Sequence, residues 1–243
     1  MERSSAFSYS CNQCGRCCRE QVITLSPYDV IRIARAANLM TSEAIERYTL
    51  RRGSLLKFGA DGRCVALDST RCTIHQGRPL ACRLYPLGLH RGEDRTESYI
   101  RLDPASGSLG EYGTGGTVAV FLAGQGTEDY LKAVERYRQL LALINQRIEL
   151  LVDFDSVEPR EFWRIARREA LAEQNLDSNP LIDALFDADK LAPGVESLEA
   201  SIQAHIATLE TMIATEADAA TLAAAGVMLA ISLGYPPRVS SRS

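Results

Sequence analysis

Apolar residues recur with a helical period through the second half of the chain. Tyr130, Val134, Tyr137, Leu141, Ile144, Ile148 and Leu151 are spaced alternately by four and three residues. That spacing lays them along one stripe of an α-helix. Leu198, Ile202, Ile206, Leu209 and Ile213 form a second such stripe. Between them, Glu158-Pro159 predicts the start of a helix carrying Phe162, Ile165, Ala166 and Leu171, and Asn179-Pro180 starts a short one to about Asp187. Ala219 to Leu233 is alanine-rich and free of charge, which predicts a buried helix ended by Gly234 and the Pro236-Pro237 pair.

The first hundred residues lack this regularity. Ser26-Pro27 reads as an N-cap and first helical residue, with a short amphipathic helix over Tyr28–Asn38. A second helix opens at Thr41 and runs to about Arg51, and both are expected to pack against the cysteine-rich loop before them. Leu55–Phe58 and Arg63–Leu67 read as a hairpin across Gly59–Gly62, and Ser98–Leu102 as a further strand. Asp103–Gly116, rich in glycine, reads as a loop or linker. The expected fold class is mainly α with minor β: an irregular cysteine-rich metal-binding N-terminal half with short helices and a hairpin, followed by a helical bundle. The expected division is 1–116 and 117–243, or one continuous domain.

The chain has 243 residues, 46% of them hydrophobic and 24% charged, which suits a globular protein with its own core. A net charge of -4 argues against a general nucleic-acid binder. Ala219–Leu233 is shorter than the roughly 20 residues a spanning helix needs, so no membrane span is expected. The N-terminus has no apolar run of a secretory signal. The expected compartment is therefore the cytoplasm, where structural disulfides are rare.

The chemistry lies in the cysteines. The chain has seven, and an odd number suits a disulfide framework poorly. Four fall within eight residues at Cys11, Cys14, Cys17 and Cys18, followed by Cys64, Cys72 and Cys82 and then none. Thiolates are soft ligands for zinc and iron–sulfur clusters. The C-x2-C-x2-C spacing lets several sulfurs turn inward on one centre, as in ferredoxins, but Cys18 follows at once where a ferredoxin places its next cysteine four residues on. A zinc ribbon would need two C-x2-C knuckles. Adjacent side chains such as Cys17 and Cys18 are expected to diverge, one ligating while the other faces a second metal, a substrate or the core. Each cysteine also has the plainer reading of a small buried hydrophobe. Arg63, Arg71, Arg78 and Arg83 surround the distal trio, favour thiolate over thiol and offset its charge. His75 follows Cys72 at a spacing compatible with zinc, or is a loop histidine bonded to backbone. With Arg78, Arg83 and Tyr85 it forms the expected outer shell of the site. His90 and His205 read as structural. Clustered thiols without a clean zinc spacing, among many arginines, favour an iron–sulfur cluster such as 4Fe-4S over zinc.

The combination Cys11-x2-Cys14-x2-Cys17-Cys18, Asp61-Gly-Arg-Cys64, Cys72-Thr-Ile-His75 and Arg78-Pro79-x2-Cys82-Arg83-x-Tyr85-Pro86 resembles the CxxCxxCC cysteine-cluster family. This YkgJ-like group is described as zinc- or iron-chelating and is related to the flagellin lysine N-methylases. The resemblance covers roughly residues 11 to 130, including Gly113–Leu122. His75 stands where many members carry Tyr, and no cysteine follows Arg101 where some members have one. The resemblance implies a metal or iron–sulfur centre held by these cysteines. It leaves three expectations open: a metal-binding module whose helical half meets a protein partner, a metal-dependent protein-modifying enzyme of the methylase type, or a structural zinc protein.

Overall fold

The computed structural model describes residues 1–92, 96–172, 179–189 and 197–235. Its mainly helical second half follows from the apolar stripes. Helix α5 (Glu128–Leu151) buries Tyr130, Val134, Tyr137, Ile144 and Ile148 as predicted. Leu140, rather than Leu141, completes the buried face, and Leu151 is exposed at the helix end. Helix α6 (Pro159–Leu171) starts at the predicted Glu158-Pro159 step but buries Ala166 and Ala170, while Ile165 and Leu171 stay exposed. The short α7 (Pro180–Ala184) stops before Asp187.

Helix α8 (Leu198–Thr215) buries Ile202, Ile206, Leu209 and Ile213. Helix α9 (Ala219–Ser232) is buried from Leu222 to Ala230 and packs against α5, α6 and α7. Its alanines let neighbouring backbones approach closely, while Leu222, Val227 and Leu229 each contribute about 1.5–3 kcal/mol of apolar burial. Gly234, at φ 77°, follows this helix. Pro236-Pro237 lies outside the described residues. Among the described residues, no helix is long and apolar enough to cross a membrane.

His205 is fully buried in α8, as the stripe predicts. Its Nε2 lies 2.9 Å from the Ala184 carbonyl, which can only accept, so this nitrogen carries the proton. Nδ1 then accepts from the Tyr137 hydroxyl at 2.7 Å. Burial pushes its pKa down from 6.5 to about 4. The unfolded chain takes up a proton near pH 6.5 and the folded chain only near pH 4, so stability falls as pH drops through that window. The expected loss is on the order of 3 kcal/mol. A His205→Gln chain lacks this titration. Thermal melts at pH 7 and pH 4 will show a smaller acid-induced drop in the variant than in the parent.

The N-terminal half wraps short elements around the cysteines. Helix α1 (Pro27–Ala37) has Ser26 as N-cap and Pro27 as its first residue, with Asp29 completing a capping box. Helix α2 (Thr41–Tyr48) ends earlier than predicted, because the chain enters β2 (Thr49–Leu50), paired with β3 (Leu55–Leu56). The expected hairpin across Gly59–Gly62 reduces to a turn closed by a single Phe58–Cys64 bridge. The second arm pairs elsewhere: β4 (Leu67–Asp68) with β5 (Arg71–Cys72). Helix α3 (Leu80–Leu84) was not legible in the sequence, and it carries Cys82. Strand β6 (Leu87–Arg91) pairs with β7 (Glu97–Arg101), close to the predicted Ser98–Leu102.

The glycine-rich stretch read as a linker is strand for much of its length. Strand β8 (Glu111–Thr117) pairs antiparallel with β1 (Ala6–Ser10), from Ser10–Glu111 to Ala6–Thr117, with a bulge between Ala6 and Ser8. Just before β8, Gly110 lies where any side chain would overlap the Tyr9 phenol. This pairing delivers Cys11, immediately after β1, to the start of the site. Helix α4 (Val118–Gly124), also unforeseen, leads into α5.

Candidate metal centre

The seven cysteines come from four pieces of chain. Cys11 and Cys14 lie in the loop after β1, and Cys17 and Cys18 in the tight turn Arg16–Cys18. Cys64 follows the Gly59–Gly62 turn, Cys72 ends β5, and Cys82 is central in α3. All seven line one cavity of about 790 Å³. All are free thiols, from buried Cys64 to exposed Cys11. Among the described residues, no three His, Cys, Asp or Glu side chains are already gathered tightly enough for a metal ion. The thiols thus ring a common space without converging on one point.

Their electrostatics differ around the ring. The Leu109 N–H points at the Cys14 sulfur at 3.5 Å. With a further contribution from the Arg16 N–H, it lowers the Cys14 pKa and biases that residue toward thiolate. Cys17 goes the other way, raised first by its hydrogen bond to the Cys18 thiol and then by burial. Divergence of Cys17 and Cys18 was the expectation; instead the tight turn entered through Gly15, at φ 69°, brings both thiols together on the cavity wall. Burial raises Cys64 and Cys72. It raises Cys82 strongly, reinforced by the nearby Cys64 and Cys72 and, less, by Asp29 and Cys17. Cys82 is therefore influenced by three of the other six thiols. Holding these groups as thiolates together requires cationic charge at their centre.

Arg78 supplies part of that charge at the rim. It is close enough to favour ionisation of Cys72. Its Nη2 donates to Gln125 Oε1 at 2.7 Å and its Nη1 to the His75 carbonyl at 3.1 Å. The same Nη1 lies 3.0 Å from Nε2 of the His75 ring. His75 also lines the cavity, and burial together with Arg78 and Arg83 lowers its pKa. Arg83 is buried, and its donors go to backbone carbonyls. It donates to the carbonyls of Arg78, Gln125 and Gln76 at 3.2, 2.6 and 2.7 Å and stacks over Tyr130, 4.7 Å from its ring centre. Tyr85 lines the cavity, its hydroxyl accepting from the Ala105 N–H at 3.2 Å. His90 is exposed on β6.

Sequence reasoning missed Asp29. One of its oxygens accepts from the Ser26 N–H and hydroxyl at 2.7 and 2.6 Å, and the other from the Leu80 N–H at 2.7 Å. One buried carboxylate thus starts α1 and fixes the first residue of α3, two residues before Cys82. Burial pushes its pKa up, against the pull of these hydrogen bonds and of Arg83. The Ser-x-x-Asp capping pattern at 26–29 was the only signal for it. Asp29→Ala leaves the buried Ser26 and Leu80 N–H groups without acceptors, an expected loss of about 2–4 kcal/mol. Asp29→Asn, which keeps one acceptor oxygen, falls between the parent and Asp29→Ala in urea denaturation.

The donor set fits a soft metal: seven thiols on one cavity, an arginine beside them, and the wall's buried carboxylate already occupied. Comparison with known proteins agrees. Residues 10–102 match the CxxCxxCC family, described as "Putative zinc- or iron-chelating domain". Over 88 residues the chain is 33% identical to an uncharacterized protein of Methanocaldococcus jannaschii, a match covering 34% of this chain and 46% of that protein. The chain thus spans less than half the length of that relative. No solved structure matches the chain. From its first cysteine to its last, the cavity's thiol wall falls within the segment, residues 10–102, that matches the CxxCxxCC cysteine-cluster family.

Proposed function

We propose that this chain is a cytoplasmic protein that holds an iron–sulfur cluster on its N-terminal thiols. The single observation that carries the reading is that all seven cysteines, separated by up to 71 positions in sequence, face the same cavity. Four thiolates complete either a zinc site or a cluster. The cavity is much larger than one four-coordinate ion occupies, which supports the cluster. Arg78 beside the thiols supports it too, because it offsets the negative charge that thiolates and sulfides leave. The free state of every cysteine is the form such ligation needs.

Metal analysis with a UV–visible spectrum on anaerobically purified chain tests this. Iron with acid-labile sulfide and a charge-transfer band near about 400 nm is the expected result. A colourless chain holding only zinc overturns the cluster and makes the thiols a structural zinc site.

A further inference from the structure

The cavity opens where Cys11, Gln13, Gln21, Val22, Thr70 and Arg71 of its wall are exposed. This rim is cationic, although the chain carries a net charge of -4. The segments that form it, residues 11–24 and 57–82, hold six Lys and Arg against three Asp and Glu. Exposed Arg16 and Arg71 and half-buried Arg19 have no side-chain partner among the described residues. The loops that carry them touch, since a β-carbon at Gly15 would lie 3.8 Å from the Thr70 Cα. Arg19 faces Arg63 across a single antiparallel bridge, and like charges directly opposite each other destabilise a strand pair. The Arg63 guanidinium is held by the Leu67 and Ser69 carbonyls at 3.4 and 3.3 Å, while Arg19 is left uncompensated. The three carboxylates are engaged elsewhere: Asp61 accepts the Arg63 N–H, Asp68 lies by the Ser69 hydroxyl, and Glu20 lies over Gly62. Val22, 87% exposed, adds an apolar contact at the same rim.

We propose that this rim is the docking surface for an acidic protein, whose carboxylates meet Arg16, Arg19 and Arg71 and whose apolar side chains cover Val22. Arginine is enriched in protein interfaces and takes carboxylates through paired N–H donors. A carboxylate between Arg19 and Arg63 also relieves their mutual repulsion. A compact acidic patch meets the local positive charge and steers the encounter. A long polynucleotide instead feels the negative charge of the whole chain, and an anionic membrane needs a broader apolar face than Val22 provides. The proposal rests on the metal-binding reading only for what lies behind the rim: a partner seated there stands at the open side of the thiol wall. Metal content and docking are therefore measured separately.

The test passes the full chain, as purified and with its metal content assayed, over immobilised poly-L-glutamate and over a glutamate–tyrosine copolymer. Both are expected to retain it at low salt, the copolymer more tightly, and to release it as salt rises toward about 0.5 M. Arg16→Glu with Arg71→Glu weakens retention about tenfold or more. Arg160→Glu with Arg167→Glu, on the exposed face of α6, changes the net charge equally and leaves retention as it was. Val22→Ser removes the copolymer's advantage. Glutamine at positions 16 and 71 carries the test if the glutamate variant fails to fold. The proposal is overturned by absence of retention, by equal weakening in the two double variants, or by a copolymer advantage that Val22→Ser leaves intact. Tighter binding to oligothymidylate or to phosphatidylglycerol vesicles than to the copolymer overturns it too. Metal-free chain that still binds the copolymer would sink the metal reading alone.

Discussion

A Cys82→Ser chain is expected to lose most of its bound metal and to melt well below the parent. Cys82 sits on α3, whose first residue is pinned by Asp29, and its sulfur feels Cys64, Cys72 and Cys17 at once. A serine hydroxyl matches the thiol in shape but is a harder and far less acidic donor, so a soft metal loses its bond at that corner. The thiols ring the cavity without forming a finished cage, so a bound metal would add to the apolar packing that holds their elements together. Metal binding in such sites is folding free energy, about 10–16 kcal/mol for structural zinc peptides. Losing one of four ligands should therefore cost several kcal/mol. Cys14→Ser should follow it, because Cys14 is the thiol biased toward thiolate. Metal stoichiometry with a melting curve checks this; unchanged values in both variants would remove these residues from the ligand set.

The second large effect is expected at Gly77, which has no bearing on metal chemistry by its type. The turn His75–Gly77 packs directly on α1. A β-carbon at Gly77 would run into the Arg32 carbonyl and stand 2.7 Å from the Ala36 β-carbon. Neither neighbour yields easily, since both belong to a helix whose far side is core. Overpacking backbone against backbone costs roughly 3 kcal/mol or more. The turn also presents the Gln76 carbonyl to both Arg32 and Arg83, so pushing it off α1 loosens the segment between Cys72 and Cys82. Gly77→Ala should therefore lower both the denaturation midpoint and the metal content. An alanine variant that keeps both would show that the turn lifts away from α1 without harm.

What the sequence discloses tracks the physics that each level uses. The thiols were legible because their chemistry does not depend on the fold, and α5 and α8 because a long stripe repeats its signal. Helix α3 was not, since five residues make little more than one turn and no period can show. It exists because Asp29, distant in sequence, receives the Leu80 N–H. Strand β8 was hidden by glycines that signal loops in isolation; one neighbour, Gly110, is there for the passage of Tyr9. Leu140 displaced Leu141 from the core because it is the partner helices, α8 and α9, that decide which edge of a stripe faces inward. Asp29 itself looks like an ordinary capping residue until its second oxygen is seen.

The cavity wall also implies an order in time. Every thiol is synthesised by residue 82, but Val134 and Leu233 close the chamber much later, Leu233 roughly 150 residues after Cys82. At about 5–20 residues per second, roughly 8–30 seconds separate synthesis of the last cysteine from synthesis of the last wall residue. The side of the chamber that the helical half forms is therefore the last to close.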